Sequence, residues 1–373
     1  MKKIAVFQEI ITDYRVDVFN KLGEQAELTV LYAPSTRIKN AKTFDPAKVV
    51  TFNACQSSVL KFFGGRMTFH PGMIRWIRRN RPPVLITEGR AGILTNWVIG
   101  LLFPRMKVVF WLSGHLPEDS RWKSRARRLI RKIYLQRADA FLCYGTATQA
   151  YLESLGINRP SFIAYNSMDT DAITRDIEEI KKDPGFSDLK LRIRNGKRLV
   201  LLFIGRIIPA KNLDSLLLAV AQLTRSNRPD LRLICIGDGP ELENLRRLSE
   251  KLDISSHLEF TGAIYDRKTL TAYCLSSDVF VLPGAGGLAL NHAIACGMPA
   301  VVCEADGTEK DLVSDGHNGY YFRKKDQEDL AGKIGSLYED PESIRRMSQN
   351  SFEISRKVVN VHTMIRGFLD VIG

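Results

Sequence analysis

The sequence predicts an α/β protein built from two doubly wound parallel-sheet domains that face each other across a cleft. Three observations predict it. Short apolar, strand-like runs alternate with helical patterns along most of the chain, as the strands and covering helices of a parallel sheet do. The alternation lapses once, in a polar stretch at 169–197, and then resumes at Leu199. In the second half, β-branched runs break at glycines before each helical pattern, which is the layout of turns that meet a phosphorylated ligand. With 373 residues, the chain is long enough for two cores.

In the first half, strands are expected at 3–7, 28–32, 84–87, 108–112, 140–143 and 161–165, with helical patterns between them, among them 14–22, 73–80 and 121–137. The polar stretch reads as a linker carrying a short helix, which places the domains at 1–168 and 199–357 with a hinge at 169–198. The second half repeats the alternation with strands at 200–204, 231–236, 258–260, 279–282 and 300–303. A helical region in two parts runs from about 326 onward, and no internal repeat or low-complexity segment occurs.

Composition narrows the setting. The opening MKKIAVFQEI has a four-residue apolar run, too short for a signal-peptide core. The longest nearly uncharged stretch, 91–104, falls short of the roughly 20 residues of a spanning helix. The six cysteines form no CxxC pair, and Cys143, Cys235 and Cys303 sit in strand-like runs where a reduced, buried thiol is expected. A cytoplasmic protein is the expectation. The net charge of +13 is concentrated between Lys61 and Arg137, with seventeen Lys and Arg against three acids.

Several blocks carry chemistry. In FIGRIIPAKNL a strand ends at Gly205, and Arg206 and Lys211 follow on the turn into a helix. A guanidinium and an ammonium so placed stabilise the charge that builds on a departing diphosphate, although exposed cations on such turns are also common. ICIGDGPELENL sets Gly237 and Gly239 in a tight turn that permits close backbone approach. In LPGAGGLALNHAIACGMPAVV, Gly286, Gly287 and Leu288 precede an apolar helix, whose free N–H groups make a ready anion site. Glu309 follows the next strand in a D-G-T-E turn, where it either contacts a ligand or simply suits a helix N-terminus. His115 lies just past the strand ending WLSGH, as a ligand-orienting imidazole or a surface loop residue. Asp169-Thr170-Asp171 spells DxD, but nothing else supplies the converging oxygens a hard cation needs, so no metal site is expected.

The basic segment 121–137 is amphipathic. Ala126, Leu129, Ile130 and Ile133 recur at helical spacing, while Arg125, Arg128 and Lys132 share another face, with Arg121 at the start. Such a helix is expected to pack its apolar stripe on the sheet and turn its cations outward, either to solvent or to an anionic membrane surface. Lys61-Phe62-Phe63 and Arg75-Trp76 add apolar anchors. No helix-turn-helix, RNA-recognition or zinc pattern accompanies the charge, so nucleic acid is not an expected partner.

The order and spacing of the blocks over 199–322 resemble the C-terminal half of a GT-B glycosyltransferase, specifically the retaining family 4 enzymes (glycosyl transferases group 1) of the polysaccharide-biosynthesis type. The likeness is looser in the first half. It implies two Rossmann-like domains, with the last helix, about 358–372, crossing back to the first. It further implies that Arg206 and Lys211 of a GRxxxxK motif hold the donor diphosphate, with Gly205, Gly239, Gly286, Gly287 and Leu288 along the nucleotide. His115 would lie near the reacting sugar, Asn166 and Asp169 would mark the hinge, and Arg15 would reach the phosphates or the acceptor. A nucleotide sugar is then the substrate, with no cofactor, and a lipid-linked saccharide at the cytoplasmic membrane face is the acceptor. One departure stands out: the two motif glutamates, eight positions apart, fall on Gly284 and His292. Either His292, Asn291 and Glu309 read the ribose and sugar instead, or the donor site has been lost. The rival readings are another GT-B enzyme, such as a sugar-nucleotide epimerase, and a non-catalytic nucleotide-sugar or polyanion binder.

Overall fold

The strand β1 (Lys3–Gln8) turns Ile4 and Val6 to one core and Ala5 and Phe7 to another, and all four are buried. A strand covered on both faces reads as a continuous apolar run, and most strands here have that character. The computed structural model describes residues 2–33, 44–113, 121–226 and 228–373, with the backbone alone over 121–127. It divides into two units, Met1–Asp169 with Val361–Gly373, and Thr170–Asn360.

The first unit continues with α1 (Asp13–Gly23), β2 (Glu27–Tyr32), β3 (Asn53–Gln56), β4 (Leu60–Phe62), β5 (Met67–Phe69) and α2 (Pro71–Asn80). Then come β6 (Val84–Glu88), α3 (Thr95–Leu102), β7 (Lys107–Leu112), α4 (Arg121–Leu135), β8 (Ala140–Cys143), α5 (Thr146–Ser154) and β9 (Ser161–Ile163). Seven strands form a parallel sheet in the order β3-β2-β1-β6-β7-β8-β9, and β4 and β5 form a separate antiparallel hairpin. The order reverses between β1 and β6, the point outside whose strand ends such sheets bind ligands.

The second unit opens with α6 (Thr170–Lys182) and α7 (Gly185–Arg194), where a linker with one short helix was expected. The reason is a stripe of Ile173, Ile177 and Ile180 at helical spacing, buried where α6 packs on the later helix Arg267–Ser276, with Asp176 bound by Arg267 at 2.6 Å. The polar majority of 169–198 is the outer side of covering helices. The unit continues with β10 (Leu199–Ile204), α8 (Leu213–Arg225), β11 (Leu231–Ile236), α9 (Leu242–Lys251), β12 (Leu258–Gly262), α10 (Arg267–Ser276) and β13 (Val279–Leu282). It ends with α11 (Leu288–Ala295), β14 (Ala300–Val302), α12 (Glu309–Leu312), β15 (Gly319–Tyr321), α13 (Gln327–Glu339) and α14 (Pro341–Lys357). Its parallel sheet has the order β12-β11-β10-β13-β14-β15, which reverses between β10 and β13.

The last helix, α15 (Val361–Ile372), belongs to the first unit. Met364, Ile365, Phe368 and Val371 are buried in the same core as Ile4 and Val6, and Gly367 packs so closely that an added Cβ would lie 2.2 Å from the Ile163 carbonyl oxygen.

Candidate functional site

In the second unit, four turns meet at the carboxyl edge of the sheet. Gly205 ends β10 at φ +157°, and a Cβ on Gly237 would sit 1.9 Å from its carbonyl oxygen. A Cβ on Gly239 would similarly meet the Ile207 oxygen at 2.2 Å, so the turns after β10 and β11 touch backbone to backbone. Across the reversal point, Lys211 Nζ donates to the carbonyls of Ala285 (2.5 Å) and Gly286 (2.7 Å), and the Ala285 N–H donates to Ala210. Burial lowers the Lys211 pKa, opposed by the nearby Asp306 carboxylate. An ammonium has three donors, so this one retains a proton beyond the two carbonyls. Arg206, next to Gly205, is exposed, and its side chain makes no hydrogen bond or ion pair among the described residues. Gly287, at φ +136° and open to space on its Cβ side, leads into α11, so the first N–H groups of that helix point at the same opening. An exposed guanidinium and a bridging ammonium after β10, and a helix start after β13, thus all lie on the turns at this edge, and they are donors of the kind a diphosphate needs.

The first unit has its own opening at the β1/β6 reversal. A cavity of ≈ 460 Å³ is lined by Gln8, Glu88, Arg90, Trp111, Arg131 and Thr148, among others. Three buried polar atoms on this lining, Gln8 Oε1, Trp111 Nε1 and Thr148 Oγ1, have no hydrogen-bond partner among the described residues. Buried polar groups are seldom left so, and a hydroxylated ligand would satisfy them. Burial pushes the Glu88 carboxyl up to about 7, aided by the Glu9 carboxylate and opposed by the Glu9 N–H bond (2.9 Å), Arg90 and Arg15.

Residues 186–354 match the family described as Glycosyl transferases group 1, and residues 16–172 match Glycosyltransferase Family 4. The chain belongs to the family 4, group 1 glycosyltransferases. It is 33% identical over 180 residues to the GDP-mannose-dependent alpha-(1-6)-phosphatidylinositol monomannoside mannosyltransferase of Mycolicibacterium smegmatis, covering 44% of this chain and 46% of that protein. It is 32% identical over 163 residues to the sulfoquinovosyl transferase SQD2 of Arabidopsis thaliana, covering 42% of this chain and 30% of the relative. The chain thus spans about half the length of the first relative and less of the second. Among solved structures, Anabaena HepE in complex with UDP superposes with a TM-score of 0.74 at 16% identity, over 100% of this chain and 99% of the other. Sucrose-phosphate synthase from Thermosynechococcus elongatus gives 0.73 at 16%, over 100% and 98%. At that identity the shared property is the GT-B fold.

Within this glycosyltransferase fold, several expected ligand contacts are placed otherwise. Arg15 is 2% exposed and committed to the core, donating to Asn166 Oδ1 (2.9 Å) and Tyr144 Oη (3.4 Å) and lying 4.8 Å from the Trp111 ring centroid. It braces β7, β8 and α15 rather than reaching a phosphate. His292 and Asn291 are buried on the inner side of α11, and His292 Nε2 lies 3.0 Å from Thr271 Oγ1 on α10. Burial lowers the imidazole pKa to about 4. The Glu309 carboxylate accepts from the N–H groups of Ala305 (2.8 Å) and Gly307 (3.1 Å), so it holds its own turn together. Asp169 of the DxD string lies 3.7 Å from Lys21. His115 lies outside the described residues, as do the side chains of Arg121 and Arg125. On α4, the stripe expected on the sheet is exposed instead: Leu129 is 60%, Ile130 55% and Ile133 42% accessible, while Tyr134 and Leu135 make the buried face. Arg128 and Lys132 border that stripe, Arg128 donating to the Ser154 carbonyl. Sequence reading missed Gln8, Glu88 and Thr148, and the only local signal was the glycine after Glu88 at a strand end.

The raised Glu88 carboxyl carries a pH signature. Between the ordinary value of 4.5 and about 7, the folded protein holds a proton that the unfolded chain has lost. Its contribution is therefore complete below the unfolded value and is lost as pH rises through the folded one. Glu88→Gln keeps the shape and cannot ionise. Its unfolding free energy in urea titrations is expected to gain on wild type between about pH 4.5 and about 7, by at most ~1.4 kcal/mol per pH unit, and to level off above that. His70, lowered to about 4 by burial, works in the opposite sense but is common to both proteins. Parallel free energies across that range would refute the assignment.

Proposed function

We propose that the chain transfers a glycosyl unit from a nucleoside-diphosphate sugar to a saccharide acceptor, with retention of configuration and without a metal ion at the diphosphate. The observation that carries this reading is the bridge of Lys211 across the β10/β13 reversal, with the exposed Arg206 also on the turn after β10. As the sugar departs, charge develops on the leaving diphosphate, and preformed donors at that place stabilise it with little reorganisation. The acceptor is proposed to be lipid-linked, a reading supported by the relative whose name places phosphatidylinositol monomannoside as its acceptor. The first-unit cavity, with its unsatisfied polar atoms and aromatic walls, is the proposed acceptor pocket.

Attachment to the cytoplasmic face of a membrane is part of the same reading. The exposed Leu129, Ile130 and Ile133 with Arg128 and Lys132, together with Phe62 and the 78% exposed Phe63, support it. Each buried Leu adds ~1.5 kcal/mol and each cation ~1 kcal/mol at an anionic surface. Sedimentation with anionic vesicles, but not zwitterionic ones, is expected. Leu129→Glu with Ile130→Glu should weaken it by about tenfold or more, at unchanged folding because both side chains are exposed. Equal sedimentation of the variant would leave α4 a solvated face.

The donor is tested with a panel of UDP-, GDP-, dTDP- and ADP-sugars. Stabilisation by one of them with slow release of its free nucleotide, lost in Arg206→Ala, supports transfer. An altered nucleotide sugar formed without acceptor would favour an epimerase. Absence of any donor response, with polyanion binding retained, would favour a non-catalytic binder.

A further inference from the structure

Away from the diphosphate turns, the second unit holds a cluster that the proposed transfer does not use. His292 and Cys296 lie four positions apart at the end of α11, so their side chains share one face of the helix. Cys274 reaches them from α10, and one donor atom from each residue lies within 4.8 Å of the others, all three side chains being buried. Thr271, one turn before Cys274, bonds the Arg267 carbonyl (2.9 Å) and sits beside the Cys296 thiol. Its Oγ1 also lies 3.0 Å from His292 Nε2, so the imidazole is held in place from α10. Metal-binding histidines are commonly held in orientation by a neighbouring hydrogen bond in this way.

We propose that Cys274, His292 and Cys296 bind a thiophilic divalent cation, zinc by its chemistry, that ties α10 to α11 behind the Gly286–Gly287 turn. Two thiolates and a neutral imidazole around a divalent ion sum to zero charge, which suits a buried place where an unbalanced ion would be costly. The Asp176 carboxylate nearby is already matched by Arg267 at 2.6 Å. Binding releases two protons, one from each thiol, to solvent, and a small ligand such as water completes the tetrahedron. A modest inward movement of the side chains brings sulfur and nitrogen to bonding distance, with Zn–S about 2.3 Å and Zn–N about 2.0 Å.

The test uses the whole chain, freed of any affinity tag, expressed with added zinc and purified under reductant without chelator. About one zinc per chain is expected, together with thiolate-to-cobalt charge-transfer absorption when cobalt replaces zinc during growth. Cys274→Ser and Cys296→Ser should each lose the absorption, and Cys55→Ser, in the first unit, should keep it. Folded wild type without bound metal that acquires no thiolate–cobalt absorption would overturn the proposal, and this readout requires no variant to fold. So would absorption surviving in the double Cys274→Ser/Cys296→Ser variant, or an intact mass two hydrogens low from a Cys274–Cys296 disulfide. Donor binding is measured separately, so failure here leaves the transfer reading standing.

Discussion

Arg206→Ala is expected to lower turnover by about 10²–10³-fold while leaving stability within ~0.5 kcal/mol of wild type. Both halves follow from one fact, that the guanidinium is exposed and bonds no group among the described residues. It contributes nothing visible to the fold and stands free for a ligand. Lys211→Ala should separate from it, losing turnover and stability together, because two carbonyls of the 285–286 turn lose their donor. Steady-state rates with the responding nucleotide sugar and thermal midpoints would resolve the two patterns. Full turnover in Arg206→Ala would mean that the leaving charge is held elsewhere.

Restoring the missing motif carboxylate by Gly284→Glu is expected to damage the protein rather than improve it. A Cβ at 284 would lie 2.3 Å from the Ala210 carbonyl oxygen and 2.8 Å from the Lys211 Cα, and neither backbone atom can step aside cheaply. Overpacking of this kind costs about 1–3 kcal/mol, and here it would also displace the lysine that bridges the reversal point. The prediction is a lowered melting point with weakened donor binding. A stable variant with faster turnover would show that this turn moves to admit the side chain. The glycine at 284 is thus explained by space: the loop has closed over the place the carboxylate would occupy.

Most of the parallel strands were legible because strands buried on both faces read as unbroken apolar runs, as at Leu199–Ile204. The short β3, β4 and β5 were not, since apart from the buried Thr68 their residues are exposed or half-buried and carry no such run. In α6 the sparse isoleucine stripe was hidden among charges, so a pair of covering helices read as a linker with one short helix. For α4, periodicity revealed an apolar face but could not say what covers it, and the structure leaves Leu129, Ile130 and Ile133 uncovered. The glycines of the second-unit turns were visible because close backbone approach restricts residue type. The cavity residues Gln8 and Glu88 were invisible because they become neighbours only when β1 and β6 pair in the sheet. His292 was misplaced for a related reason: alignment fixes a position along a helix, while packing against α10 decides which way that position faces.

The return of α15 to the first unit has a consequence for biosynthesis. Residues 170–360 are contiguous, so the second unit is complete in sequence once residue 360 has left the ribosome. The first unit, although translated earlier, waits for Met364, Ile365 and Phe368 before Trp111 and its neighbours are covered. Domains commonly mature in the order of synthesis. Here the later-made one is free to finish first, while the apolar surface that α15 covers stays open until that helix emerges. Limited proteolysis of stalled nascent chains should find the second unit protected before the first, and the reverse order would contradict this.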